Sequence, residues 1–244
     1  MKQLIFIFSI LFCLQNFAQD SLFIKANKEY RAENYSSAIK FYNSIISNGF
    51  ESSELFYNLG NCYYKKEDWA NTIWHYEKAL KIRPNNKDAA YNLEIVKLKI
   101  IDQIEEIPQL FYKKWQEKLV NLFSIKTWQT LTILSIWLIL IIHLIKVLTN
   151  YKKKYLLTIL SIITLILIYT TYYSFQQYHS TNEAIIFSSS VIVNSAPSDN
   201  SNKLFTLHSG TKTEIVDEID EWINIKISNG NSGWIKKSNC KIIY

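Results

Sequence analysis

The ionisable and nucleophilic residues of this chain are too scattered to form a catalytic or metal-binding set. Its three cysteines are Cys13, Cys62 and Cys240, and no C-x-x-C pair or His/Cys cluster occurs among the 244 residues, which argues against a zinc site. The sequence also lacks a Ser/His/Asp set, a carboxylate pair and a phosphate-binding glycine loop. We therefore predict that the protein is not an enzyme and uses no cofactor.

His143 is an ionisable residue inside a long apolar segment, where such a side chain can serve proton or ion transport. No acidic residue occurs between Glu117 and Glu183, so the apolar segments offer it no carboxylate partner. We therefore expect a neutral histidine and no transport site. Cys62 and Cys240 are expected to be small buried residues, since a disulfide between them would require the two outer parts of the chain to dock.

Three apolar segments predict how the chain meets a membrane. Residues 1–18 have the layout of a secretory signal peptide, with one lysine, an apolar stretch and Ala18 before the expected cleavage point; an uncleaved anchor is the alternative. Two later charge-free stretches are long enough to cross a hydrocarbon core of about 30 Å. We predict transmembrane helices over residues 127–148 and 155–175.

A short basic loop over residues 149–154 joins the two predicted spans. It carries three consecutive lysines from Lys152 and no acidic residue, and loops of this kind stay in the cytoplasm. The regions before and after the spans then both lie on the outer side. The formal net charge of +6 falls largely beside apolar segments, which favours membrane orientation over a nucleic-acid partner.

Residues of the N-terminal region recur at a spacing of 34. Tyr57-Asn58-Leu59-Gly60 returns as Tyr91-Asn92-Leu93-Glu94, and a 34-residue period is typical of stacked helix–turn–helix units. Residues 19–107 resemble tetratricopeptide repeats, with Gly60 and Ala26 expected where two helices touch. A third unit is expected to supply one long helix through about Ile104.

The resemblance implies that the first helix of each unit lines a concave groove that binds a polypeptide. The implied groove positions are Asn27, Tyr30, Arg31, Tyr57, Asn58, Asn61, Tyr64, Lys65, Tyr91 and Asn92. Asparagine amides can bond an extended backbone and tyrosines supply rigid contact area, while Arg31 and Lys65 favour an acidic or C-terminal carboxylate partner. The alternative is that some of these tyrosines pack between helices and the amides are only solvated.

Residues 108–126 have apolar and aromatic side chains at helical spacing, with lysines opposite. We predict an amphipathic juxtamembrane helix on the outer leaflet. A helix packed against the repeats is the alternative.

Residues 181–244 alternate strand-like runs with turn residues, which predicts a small all-β barrel of five or six strands. Two stretches, Glu221-Trp222-Ile223-Asn224-Ile225 and Gly230-Asn231-Ser232-Gly233-Trp234-Ile235, resemble bacterial Src-homology-3-like domains. Relatives of this class bind peptides, cell-wall glycans or other domains. Trp222 and Trp234 are expected in the core.

The sequence thus predicts a multidomain membrane protein: an α-helical tetratricopeptide array, two transmembrane helices and a small Src-homology-3-like barrel. This order resembles the BatE-type members of the Bat (Bacteroides aerotolerance) group. The resemblance implies an inner-membrane scaffold with both outer domains in the periplasm, and partners that are Bat-type proteins with von Willebrand A-type domains and a MoxR-type ATPase system. The alternative is an anchor that binds peptidoglycan and recruits envelope enzymes.

Overall fold

The computed structural model describes residues 21–105, 107–149, 154–179 and 182–243. The predicted signal peptide lies outside the described residues, as does most of the predicted basic loop.

Five helices lie within the described residues 21–97, which we call the array. They are α1 over residues 21–31, α2 (Tyr35–Ser47), α3 (Ser53–Lys65), α4 (Trp69–Ile82) and α5 (Lys87–Lys97). The side chains of Ser52, Asp68 and Asn86 each accept a hydrogen bond from the backbone N–H three residues later, and so begin α3, α4 and α5. Glu33 and Glu67 have φ values of 60° and 59° in the turns after α1 and α3, so the backbone repeats with the sequence.

Close helix contact at Gly60 and Ala26 is confirmed. A Cβ atom at Gly60 would lie 2.4 Å from Cε1 of Tyr76, and Ala26 is 0% exposed. The prediction of a helix through Ile104 is wrong, because α5 ends at Lys97. Ile100 and Ile104 instead pack against the C-terminal part of the chain.

Within residues 107–149 and 154–179, three helices follow the array. They are α6 (Phe111–Val120), α7 (Ile125–Thr149) and α8 (Lys154–His179). Helices α7 and α8 pack side by side, with Oγ1 of Thr132 lying 2.8 Å from Oγ1 of Thr171. By length and composition both are able to cross a membrane, and only 11% of each apolar window is buried within the protein. Most of their apolar surface is therefore open to the surroundings.

Seven strands form one antiparallel sheet in residues 182–243, which we call the β-domain. They are β1 (Glu183–Ile186), β2 (Ser190–Asn194), β3 (Lys203–His208), β4 (Lys212–Ile219), β5 (Trp222–Lys226), β6 (Ser232–Lys236) and β7 (Cys240–Ile242). Their order is β3-β2-β6-β5-β4-β1-β7. The predicted turn between β5 and β6 contains Gly230 at φ 86°. Trp222 is buried, as expected, whereas Trp234 is only half-buried.

The β-domain packs on the array, although 168 positions separate two of the residues that meet. Nε1–H of Trp74 in α4 donates to the carbonyl of Ile242 at 3.0 Å, and Ile185 and Ile243 belong to the same buried cluster as the array. Because the array precedes α7 and the β-domain follows α8, this contact places both on one side of the helix pair. The domains dock, yet Cys62 and Cys240 remain free thiols.

Candidate peptide-binding groove

A ladder of hydrogen bonds repeats with the 34-residue period along the predicted groove. Tyr42 Oη–H donates to Oδ1 of Asn27 at 2.5 Å, and Tyr76 Oη–H donates to Oδ1 of Asn61 at 2.6 Å. The same two oxygens accept from the next unit: Nδ2 of Asn58 lies 3.3 Å from Asn27, and Nδ2 of Asn92 lies 3.2 Å from Asn61. Each unit is thereby bonded to its neighbour through polar groups as well as apolar contacts.

This ladder gives the groove asparagines a structural role that the sequence analysis did not assign. Oδ1 of Asn27 and Oδ1 of Asn61 each accept two hydrogen bonds, so these oxygens are occupied. The Nδ2 donors of the same two residues take no part in the ladder. They are the amide atoms of these two side chains that the ladder leaves for a bound backbone.

The tyrosines of the predicted groove divide into two kinds. Tyr30 makes an edge contact with Tyr35 at a centroid distance of 5.5 Å, and Tyr64 makes the equivalent contact with Trp69 at 5.6 Å. These two rings pack between helices, which was the alternative for part of the set. Tyr91 is different, because 69% of its surface is exposed on α5.

Tyr57 lies between these two kinds. Its ring contacts the ring of Tyr76 at 5.9 Å, and its Oη accepts a hydrogen bond from Nδ2 of Asn92 at 3.3 Å. It is half-buried and therefore keeps part of its surface available for contact.

The charged groove positions are open. Arg31 at the end of α1 and Lys65 at the end of α3 are both exposed. The carboxylate of Glu54, at the start of α3, pairs with Arg83 at the end of α4 and not with these two cations. The exposed cations of the groove can thus attract a carboxylate.

The β-domain packs on α4, which is the second helix of its repeat unit. The groove positions lie on α1, α3 and α5, the first helices of their units. Trp74, Glu77 and Lys81 supply the α4 side of this contact. Lys81 Nζ donates to the carbonyl of Ile243 at 2.8 Å, and Nζ of Lys241 lies 3.5 Å from the centroid of a Trp74 ring. The groove positions Arg31, Lys65 and Tyr91 therefore remain exposed when the β-domain is docked on α4.

Lys212 joins the array and the β-domain through two carboxylates. Its Nζ lies 2.9 Å from Glu77 and 3.0 Å from Glu183. Burial alone would lower the pKa of Lys212, but the two neighbouring carboxylates outweigh burial and raise the pKa. The lysine is held as a cation between the two parts of the protein.

Asp102 makes a second connection, from the segment after α5. Oδ2 accepts from the backbone N–H of His208 and from Oγ1–H of Thr211, both at 2.6 Å, and Oδ1 lies 2.7 Å from Nδ1 of His208. Burial would raise the pKa of Asp102, but the hydrogen bonds from Thr211 and His208 outweigh it and lower the pKa. An ionised carboxylate thus holds residues 98–105 on the β-domain in place of a further array helix.

The roles of the side chains that support the groove and of those that join the domains were not predicted from the sequence. Tyr42 and Tyr76 had a detectable signal, because each follows its asparagine partner by 15 positions in successive units. Trp74, Asp102 and Lys212 had none, because their partners lie more than 100 positions away or in another domain.

Comparison with known families matches two parts of the chain. A tetratricopeptide repeat model matches residues 53–86, which are α3, α4 and the turn after them. A bacterial SH3 domain model matches residues 189–240, which cover β2 to β6 and the start of β7. No curated protein matches the chain. The protein therefore contains a tetratricopeptide repeat and a bacterial SH3 domain, joined in sequence by two apolar helices.

Proposed function

We propose that the protein is a membrane-anchored scaffold that binds another polypeptide in the groove of its array. The tetratricopeptide match supports a protein partner, because such arrays present concave surfaces to polypeptides. The observation that carries the proposal is the placement of the β-domain on α4, which leaves Arg31, Lys65 and Tyr91 exposed on the first helices.

The partner segment is extended and carries a carboxylate near the groove cations. The Nδ2 groups of Asn27 and Asn61, which the ladder does not use, bond its backbone, and Arg31 and Lys65 pair with its acidic group. Both cations are exposed, and an ion pair at an exposed position contributes up to about 1 kcal/mol. Losing both cations should therefore weaken binding by roughly ten- to thirty-fold.

The test is affinity capture after crosslinking in native membranes, comparing the wild type with an Arg31→Glu, Lys65→Glu double variant. Both side chains are exposed, so reversing their charge should leave the ladder intact. Lys40→Glu is the matched control, because Lys40 is an exposed lysine on α2 outside the groove set. Loss of a partner in the double variant alone supports the proposal; equal capture by all three proteins refutes it.

We propose further that the scaffold works in the bacterial envelope within a Bat-type complex. The bacterial SH3 domain match and the two apolar helices support an envelope location, and the domain order supports the Bat resemblance. In this proposal the array and the β-domain face the periplasm from the inner membrane, in a setting of aerotolerance or envelope stress. Captured proteins with von Willebrand A-type domains, or a MoxR-type ATPase, are the expected result; their consistent absence contradicts this assignment.

Peptidoglycan binding is the second candidate function, favoured by the bacterial SH3 domain. The β-domain exposes apolar side chains outside its contact with the array. Leu204 is 51% exposed and Val216 is 58% exposed. Co-sedimentation of the detergent-solubilised chain with purified peptidoglycan tests this candidate. Sedimentation that survives Arg31→Glu and Lys65→Glu but is lost on Val216→Asp would assign the function to the β-domain.

We also propose that the protein is not an enzyme. Burial raises the pKa of the Cys62 thiol to about 12 and that of Cys240 to about 11, so neither is a ready nucleophile. Within the described ranges, no group of three His, Cys, Asp or Glu residues is placed to hold a metal ion. A hydrolase or transferase activity of the purified chain that depends on either thiol would contradict this proposal.

A further inference from the structure

Helix α6 exposes an apolar face that neither the array nor the β-domain covers. Phe111 is 84% exposed, Trp115 78% and Tyr112 52%, and Leu119 on the same face is 40% exposed. At 100° per residue these four side chains fall within about one third of the helix circumference. Phe111 and Trp115 lie one helical turn apart, and both are more exposed than most apolar residues of α7 and α8.

The adjoining face of α6 packs on helices α7 and α8 through specific contacts. Nε2–H of Gln116 donates to Oη of Tyr169 in α8 at 2.7 Å. Val120 is 1% exposed, and its carbonyl accepts from Nε1–H of Trp128 in α7 at 2.8 Å. The apolar face of α6 therefore continues the exposed apolar surface of α7 and α8.

The corner between α6 and α7 is also bonded to the array. Nδ2–H of Asn85, in the turn after α4, donates to the carbonyl of Leu122 at 2.9 Å. Leu122 and Phe123 in this corner are 49% and 41% exposed. The array, α6 and the start of α7 are therefore held in one arrangement.

The charges of α6 fit a surface of phospholipid headgroups. Lys114 and Lys118 lie beside the apolar face on the helix circumference, on the edge away from Gln116, and both are exposed. Lys113 and Lys126 are also exposed, and Glu117 is the acidic residue between Phe111 and Lys126. Lysines that flank an aromatic face are typical of helices that lie in a membrane interface.

We propose that α6 lies in the boundary between headgroups and acyl chains of the leaflet on the array's side. The aromatic face enters the lipid, the lysines meet the phosphates, and the Asn85 contact then sets the height and direction of the groove relative to the membrane. This inference rests on the membrane anchoring in the proposed function. It replaces the alternative in which the apolar face of α6 packs against the repeats.

The test uses nitroxide labels on the full chain in phospholipid nanodiscs, with Cys240→Ser and the buried Cys62 retained. One variant carries the label at Trp115→Cys, on the apolar face, and a matched control carries it at Lys113→Cys, on the opposite side of the same helix. A third, Ile141→Cys, reports on α7. Power-saturation measurements compare access to oxygen, which enters lipid, with access to a water-soluble nickel complex.

The expected result is high oxygen access and low nickel access at positions 115 and 141, with the reverse at position 113. High nickel access at 115 with a lipid signal at 141 overturns the inference about α6 and leaves the membrane anchor standing. Low access to both reagents at 115 also overturns it, because a protein then covers the face. High nickel access at both 115 and 141 removes the anchor and this inference together.

Discussion

Acidification should destabilise the array through His75. This side chain is 4% exposed, stacks on Tyr63 at a centroid distance of 4.9 Å and places Nδ1 2.7 Å from the carbonyl of Asn71. Burial lowers the pKa of His75 to about 3, against the opposing hydrogen bond to Asn71, and the neighbouring cations Lys241 and Lys78 lower it further. The folded array therefore holds a neutral imidazole at neutral pH.

The sign and size of the effect follow from linkage between folding and protonation. Below the ordinary histidine pKa of 6.5, the unfolded chain binds a proton that the folded chain refuses until about pH 3. Stability is therefore lost progressively as the pH falls from 6.5 towards 3. One pKa unit corresponds to about 1.4 kcal/mol, so lowering the pH from 7 to 5 should reduce the free energy of unfolding by about 2 kcal/mol.

The assay is urea unfolding of the full chain in a non-ionic detergent at pH 7 and pH 5, followed by helical circular dichroism. The wild type should lose about 2 kcal/mol more than a His75→Phe variant, which keeps a ring against Tyr63 but cannot be protonated. His179→Gln is the control, because His179 is exposed at the end of α8. Equal losses in the wild type and His75→Phe would refute the argument that burial keeps His75 neutral.

Three further predictions test the packing of the array, the domain contact and the thiols. Gly60→Ala should cost about 1–3 kcal/mol, because its Cβ would overlap the Tyr76 ring; urea unfolding measures it, and an unchanged midpoint would show that α3 and α4 can separate freely. Asp102→Asn should loosen the β-domain from residues 98–105, because the carboxylate accepts three hydrogen bonds; exchange of the His208 amide hydrogen should accelerate, and unchanged protection would argue against this role. Alkylation of Cys240 by iodoacetamide at pH 8 should be roughly a hundred-fold slower in the folded than in the unfolded chain, because the pKa of this half-buried thiol is raised to about 11; equal rates would contradict the raised pKa.

Local patterns in the sequence were sufficient for the helix pairs and the apolar helices. The two helices of one unit contact each other through residues that are close along the chain. The 34-residue period therefore predicts a close helix contact at Gly60 and at Ala26. A long charge-free stretch likewise predicts its own helix, as for α7 and α8. The predicted span over 127–148 lies within α7, which begins at Ile125. The predicted span over 155–175 lies within α8, which ends at His179.

The sequence pattern failed where an element has little buried surface of its own. The sheet has seven strands in residues 182–243, against the five or six predicted. The edge strand β3 gives a weak signal because Leu204 is apolar although it is exposed, which breaks the alternation of apolar and polar residues that predicts a strand. The predicted helix extended too far, through Ile104, because apolar residues at 100 and 104 would continue its packed face. In the structure Ile100 and Ile104 pack against the β-domain.

The sequence by itself therefore determined the repeat period, the apolar helices and the class of each domain, because those depend on residues close along the chain. Only the tertiary structure decided how the parts combine. The contact of Trp74 with Ile242 joins residues 168 positions apart, and no local pattern specifies such a pair. The same holds for the groove, where packing decides that Asn61 supports its neighbours while Lys65 stays exposed.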